Sequence, residues 1–213
     1  MIYVVMCGGN YTHFGELPRQ LHKVQGERLV DRTIRQLREN GAEEIYITAI
    51  DPRFEDCGVD VLYHENSYSS DGKTNSGYWL DAFFPFFADD AKVTYIFGDV
   101  LFSDDAIRRI IHCQRDGNIL FGTGIAKNPQ HKNWGEPFAY VVNDYKTFMA
   151  GVHDVKKLQD EGKTNRVALV WELYRYLNGL DVNIQDVRDE TYVVIDDGTI
   201  DADDPARFDE WNR

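Results

Sequence analysis

Cysteine is scarce in this chain, long apolar runs are missing, and basic residues are outnumbered. Each shortage excludes something. The three cysteines, Cys7, Cys57 and Cys113, are an odd set without metal-like spacing. They argue against a disulfide framework or a structural zinc site and predict reduced thiols in a cytoplasm. The longest apolar run, Ala-Phe-Phe-Pro-Phe-Phe-Ala at 82–88, falls far short of the ~20 residues of a membrane span, so no membrane partner is expected. Met1 opens directly on a strand-like run, and the chain is read as lacking a signal segment. Lys and Arg number 23 against 36 Asp and Glu, a formal net charge of −13. Such a surface repels nucleic-acid backbones. The one basic cluster, Arg28, Arg32, Arg35 and Arg38, alternates with acids and reads as a solvated helix face.

What is present describes an ordinary folded chain. Hydrophobic residues make up 43% and aromatics 13% of 213 residues, enough for a sizeable core. No repeat, low-complexity tract or Pro/Ser-rich linker interrupts it, which predicts a single domain over 1–213. Short β-branched or aromatic runs at 2–6, 45–50, 59–63, 93–97 and 118–123 alternate with amphipathic stretches. Leu29, Val30, Thr33, Ile34 and Leu37 recur at helical spacing within 29–40, and Asn40-Gly41 supplies the stop. Ala106, Ile107, Ile110 and Ile111 do the same within 104–113. This alternation predicts a mostly parallel sheet covered on both faces. The second half is less regular. Strands are predicted at 138–142, 182–187 and 192–195, and helices at 144–151 and 166–177. A terminal helix opens at Asp204-Pro205. This half is expected to supply a small antiparallel edge.

Three features carry chemistry. The first is the run Ile2–Met6 emptying into Cys7-Gly8-Gly9, which places backbone N–H groups where a phosphate can reach them. Alone, Gly8-Gly9 is as readily a plain tight turn. Thr12, His13 and Arg19 follow within reach, and Arg19 offers a planar fork of donors to phosphoryl oxygens. There is no Gly-Lys-Ser/Thr P-loop, and the third glycine of a Rossmann fingerprint is missing. The second feature is Gly98-Asp99 at the end of a buried strand. A strand-end Asp commonly caps the turn into the next helix; beside a glycine loop, this carboxylate is read as a Mg²⁺ ligand. The third is the acidic segment 196–205. Asp201 is its candidate second cation ligand, with Asp196 or Asp197 as the fallback. An acidic protein that binds an anionic nucleotide needs such a cation.

With these motifs in order, the chain resembles the nucleoside-diphospho-sugar pyrophosphorylase and cytidylyltransferase superfamily of nucleotidyltransferases. Members open with a strand, Ala-Gly-Gly-x-Gly-Thr-Arg, Pro-Lys and a Val-x-Gly-x-Pro-Leu turn into a helix. Here stand Cys7-Gly8-Gly9-Asn10-Tyr11-Thr12-His13, Pro18-Arg19 and Val24-Gln25-Gly26-Glu27-Arg28-Leu29. Gly98-Asp99 matches the family's central Gly-Asp, and 201–208 its late acidic segment. Thr74-Asn75 is similar to a segment of the phosphocholine-cytidylyltransferase branch, though a plain helix cap explains that pair better. Tyr11 replaces the loop's third glycine, His13 the motif arginine and Arg19 the motif lysine.

The resemblance implies a three-layer α/β/α, Rossmann-like domain of the GT-A-like nucleotide-diphospho-sugar transferase fold. It implies Arg19 and Asp99 as catalytic residues and Asp99 and Asp201 as Mg²⁺ ligands. The nucleotide would be held by Cys7, Gly8, Gly9, Thr12, His13 and Arg19. The partners would be a nucleoside triphosphate and a phosphorylated small molecule, joined with release of pyrophosphate. Two alternatives stay open: a nucleotide-sugar-dependent glycosyltransferase, and an inactive nucleotide- or sugar-phosphate-binding homologue. The nucleobase and the acceptor are not legible. Trp134, Glu136, Trp171 and Glu172 are candidates for acceptor contacts, although aromatics at helical spacing are more often core. Oligomeric state, a homo-oligomer included, is also open.

Overall fold

The structure, a computed structural model, describes residues 1–8, 14–65, 78–124 and 135–202, together with Phe208 and Trp211. Along the chain, strand β1 (Ile2–Met6) is followed by a short hairpin of β2 (Lys23–Val24) and β3 (Glu27–Arg28), then helix α1 (Leu29–Glu39). Strands β4 (Glu44–Ala49), β5 (Asp60–Tyr63), β6 (Val93–Phe97) and the two-residue β7 (Val100–Leu101) lead to α2 (Asp104–Ile111). The rest comprises β8 (Ile119–Gly122), β9 (Pro137–Val142), α3 (Tyr145–Asp160), α4 (Val170–Leu177), β10 (Tyr192–Val194) and β11 (Ile200–Asp201).

Seven strands form one sheet in the order β5-β4-β1-β6-β9-β8-β10. β1 pairs in parallel with both β4 and β6, and β10 in parallel with β8. β9 is antiparallel to both of its neighbours. The other six strands therefore deliver their carboxyl ends to one rim. The antiparallel component lies inside the sheet, between β6 and β8, and the adjacent edge is the parallel β10. The fold is thus the expected α/β arrangement with a mostly parallel sheet. β6 and β8 are buried along their whole length, as strands covered on both faces must be.

On one face Tyr95 and Tyr140, opposite one another across β6 and β9, pack on Phe148 of α3. The Tyr140 hydroxyl is enclosed in this core with no hydrogen-bond partner among the described residues. Removing an orphaned polar group relieves a desolvation penalty of ~1–3 kcal/mol. Tyr140→Phe will therefore melt at or above the wild-type temperature, and a clear loss in a thermal melt would show that the hydroxyl is bonded after all.

Three predicted elements differ. Helix α3 runs well past Gly151, where the sequence suggests a stop. Gly151 is instead a close-approach position: a Cβ there would lie 2.6 Å from Leu177 Cδ2 on α4. The predicted strand at 182–187 is a turn and coil. Its Ile184 carbonyl accepts from the buried Arg175 guanidinium at 2.9 Å, a demand the local pattern does not reveal. Helix α4 begins at Val170 rather than 166, because Glu172 Oε1 is engaged by Arg166 at 2.9 Å while its Oε2 accepts the Leu169 N–H at 2.9 Å. Trp171 and Glu172 are 4% and 2% exposed, which makes them core residues rather than acceptor contacts. The terminal helix predicted from Asp204-Pro205 begins outside the described residues; Phe208 and Trp211 within it are helical.

Candidate nucleotide and cation site

Strand order reverses between β1 and β6: the chain builds outward from β1 to β4 and β5, then returns to the other side of β1. Ligands of open α/β sheets bind beyond the carboxyl ends at such a switch point. Cys7-Gly8 and Gly98-Asp99 are the residues that leave β1 and β6 there. The two ends touch closely. Gly98 N–H donates to Met6 O at 3.0 Å, and a Cβ on Gly98 would stand 2.6 Å from that oxygen and 2.8 Å from Cys7 Sγ. Cys7 is fully buried and its N–H is bonded to Thr48 O at 2.8 Å. Burial, then the Asp99 charge, then Cys57 push its thiol well above the ordinary range. The side chain and N–H of Cys7 therefore support the rim from within. Gly8 is the first exposed residue past this strand, with nothing among the described residues within 4 Å of an added Cβ. Gly9, Thr12 and His13, also expected to hold the nucleotide, lie outside the described residues, as do Tyr11, Thr74-Asn75 and Trp134.

Arg19 reaches this rim from a short 3-10 turn, Arg19–Leu21, entered through Pro18 at φ −51° and ψ 135°. The proline's fixed φ suits that entry. Arg19 Nη2 lies 3.3 Å from Asp99 Oδ2, with the side chains 17% and 25% exposed. The expected phosphate-binding cation and the expected metal ligand thus meet. Downstream, Gln25 and Gly26, both left-handed at φ 53° and 86°, make the two-residue turn between β2 and β3 that was expected at Gly26.

Asp201 is brought in from near the other end of the chain. β11 pairs antiparallel with β7, placing Asp201 opposite Val100, and Ala202 N–H donates to Asp99 O at 2.8 Å. The backbones bearing Asp99 and Asp201 are therefore adjacent. Among the described residues no three His, Cys, Asp or Glu side chains converge as a metal cage. Two carboxylates are still a fitting donor set for Mg²⁺, which prefers oxygen ligands and completes its shell with waters and substrate phosphates.

Several supporting residues escaped the sequence reading. Arg53, just past β4, ion-pairs with Asp51 and donates to Glu16 O at 2.7 Å, tying the segment before Pro18 to the rim. Phe14, His22 and Phe208 form a ring cluster with centroids 5.3–5.7 Å apart, joined by Trp211. It links the N-terminal segment, the hairpin entry and the C-terminal segment. Asp197, a fallback cation ligand above, is engaged elsewhere. Ser103 Oγ, the N-cap of α2, donates to its Oδ2 at 2.7 Å, and Thr199 Oγ1 donates to its Oδ1 at 2.8 Å.

Burial works against the ionised Asp197, but Ser103, the Thr199 hydroxyl and N–H, and the Arg109 charge outweigh it and hold the carboxyl below its ordinary value. A depressed folded pKa stabilises the fold fully above the unfolded value of ~3.9, and that contribution is lost as pH falls through the folded value. Asp197 is exposed, so the effect is small. The stability gap between wild type and Asp197→Asn, measured by urea unfolding, will shrink as pH drops below ~4. Parallel curves for the two proteins from pH 6 to 3 would show that the charge on Asp197 contributes nothing to folding stability.

With this geometry in hand, comparison with known proteins is decisive about kinship. Residues 3–158 match the MobA-like NTP transferase domain. The chain belongs to that family. Among solved structures, this NTP transferase domain resembles a Bacillus anthracis protein provisionally named a glucose-1-phosphate thymidylyltransferase and crystallised with sucrose. The TM-score is 0.66 at 15% identity, covering 99% of this chain and 93% of that one. It also resembles Rv0371c from Mycobacterium tuberculosis H37Rv, with a TM-score of 0.61 at 14% identity and coverage of 99% and 95%. At such identities these likenesses speak for the fold. The matched segment contains Gly8, Arg19 and Asp99, whereas Asp201 lies beyond it. None of the helices among the described residues is long and apolar enough to cross a membrane.

Proposed function

We propose that this NTP transferase is a divalent-cation-dependent nucleotidyltransferase that joins a nucleoside monophosphate to a sugar phosphate or a similar phosphomonoester, releasing pyrophosphate. The observation that carries this reading is the meeting of Arg19 and Asp99, 3.3 Å apart, at the switch point of the sheet. The acceptor class is supported by the name of the Bacillus anthracis protein that shares the fold.

In this reading a phosphoryl oxygen of the acceptor forms a bond to the α-phosphorus of the triphosphate. The bond from that phosphorus to the β-bridging oxygen breaks, and pyrophosphate leaves with the electron pair. The acceptor oxygen is already anionic near neutral pH, so no general base is required. The chain contributes position and charge. Exposed backbone at Gly8 faces the nucleotide, and Arg19 stabilises charge on the phosphoryl oxygens. Asp99, with Asp201, would hold Mg²⁺, which neutralises phosphate charge when bound.

The test is a pyrophosphate-release assay with the four common nucleoside triphosphates against a panel of sugar 1-phosphates and other phosphomonoesters, with and without Mg²⁺. Release that needs both the cation and the acceptor supports the proposal. Release of a nucleoside diphosphate from a nucleotide sugar, with no pyrophosphate from any pair, would replace it with a glycosyltransferase.

A further inference from the structure

Arg19 and Asp99 face each other from segments 80 positions apart in sequence, and each is partly buried. In the reaction proposed above both have other duties. Asp99 would face a divalent cation and Arg19 the phosphoryl oxygens, so each ligand competes with the contact between them.

We propose that Arg19 is the resident counter-charge of Asp99, and that cation and triphosphate load the site together by an exchange of partners. The inference rests on the cation-dependent reading of the site. A cation alone must displace the partly buried guanidinium of Arg19 from Asp99. A triphosphate alone draws Arg19 away and leaves Asp99 facing further negative charge. When both arrive, each displaced group meets an opposite charge. Arginine suits this exchange better than lysine, because its planar fork matches carboxylate and phosphate geometry alike and it stays protonated in either partnership. The consequence is a positive and reciprocal coupling between the two ligands.

The test uses Mn²⁺ as the probe, followed by electron paramagnetic resonance or calorimetry. Binding is measured alone and with non-hydrolysable α,β-methylene analogues of the four triphosphates. In the wild type, Mn²⁺ alone will bind weakly and a matching analogue will tighten it. Arg19→Ala will bind Mn²⁺ alone about tenfold more tightly, the scale of one opposed charge at this distance in a partly wet site. Its coupling to the analogue will fall. Arg19→Lys, which keeps a charge but not the fork, will lie between them and serves if Arg19→Ala does not fold. An unchanged or weakened affinity for Mn²⁺ alone in Arg19→Ala would overturn the exchange.

Asp99→Asn separates this failure from failure of the site itself. If Asp99→Asn abolishes Mn²⁺ binding while Arg19→Ala leaves it unmoved, the cation site stands and only the exchange falls. If Mn²⁺ binds equally well to Asp99→Asn, or to none of the proteins, the cation assignment falls with it.

Discussion

At saturating Mg²⁺, Asp99→Asn will reduce pyrophosphate release by roughly 10²–10³-fold while leaving the fold intact. The asparagine keeps the shape of the side chain and removes its charge. In the proposed reading the cation held by Asp99 stabilises charge on the phosphoryl group, and losing one preorganised contact of that kind raises the barrier by ~2.7–4 kcal/mol, a factor of roughly 10²–10³. Below saturating Mg²⁺, weakened cation binding deepens that loss. The structural cost is modest. The carboxylate's ion pair with Arg19 is partly exposed, and pairs of that kind contribute ~0–1 kcal/mol. The backbone carbonyl of Asp99 that accepts from Ala202 is untouched. Initial rates at saturating Mg²⁺, beside a thermal melt of the same preparation, make the measurement. Undiminished turnover would end the assignment of Asp99, and a collapsed melting transition would show that it serves the fold first.

Gly98→Ala will destabilise the protein by about 1–3 kcal/mol, the usual cost of forcing atoms into a close-packed site. At ~2–4 °C per kcal/mol for a chain of this size, the melting temperature will drop by several degrees. The new methyl group would meet the Met6 carbonyl oxygen at 2.6 Å, and that oxygen is already the acceptor of the Gly98 N–H. Relief requires β1 and β6 to part at the rim where Asp99 is held. Activity will therefore fall with stability, even though Gly98 brings no side chain to the reaction. For the melting temperature alone, Gly8→Ala is the control, since nothing among the described residues lies within 4 Å of its added Cβ. A Gly98→Ala protein that melts with the wild type would mean that the two strand ends stand farther apart than the structure places them.

Most of the parallel sheet was legible because its signals are local. Ile2–Met6 and Val93–Phe97 are strands over the residues predicted, since an unbroken apolar run between turn residues has few other ways to be buried. The faces of α1 and α2 followed from spacing in the same way, Gln36 excepted. That buried amide donates to Phe102 O at 3.1 Å and Asp104 Oδ1 at 2.7 Å, a partnership invisible to hydrophobic periodicity. Gly151 misled for the same reason: a glycine that ends a helix and one that admits a neighbouring helix look identical along the chain. In the site, Gly98-Asp99 at a strand end was readable. The pairing of Asp99 with Arg19, and the engagement of Asp197 by Ser103 and Thr199, were not.

The amino-acid sequence by itself determined most of the long strands and the faces of α1 and α2, the acidic balance of the surface, and a motif order that matches one family of transferases. Those properties depend on residues a few positions apart, where periodicity and turn chemistry act. Tertiary structure alone decided that the reversed strand β9 lies inside the sheet, that Gly98 must be bare because two strand ends touch, and that Arg19 closes on Asp99. Each of these results from strand register and packing between distant segments, and such contacts become definite only once the whole core has closed.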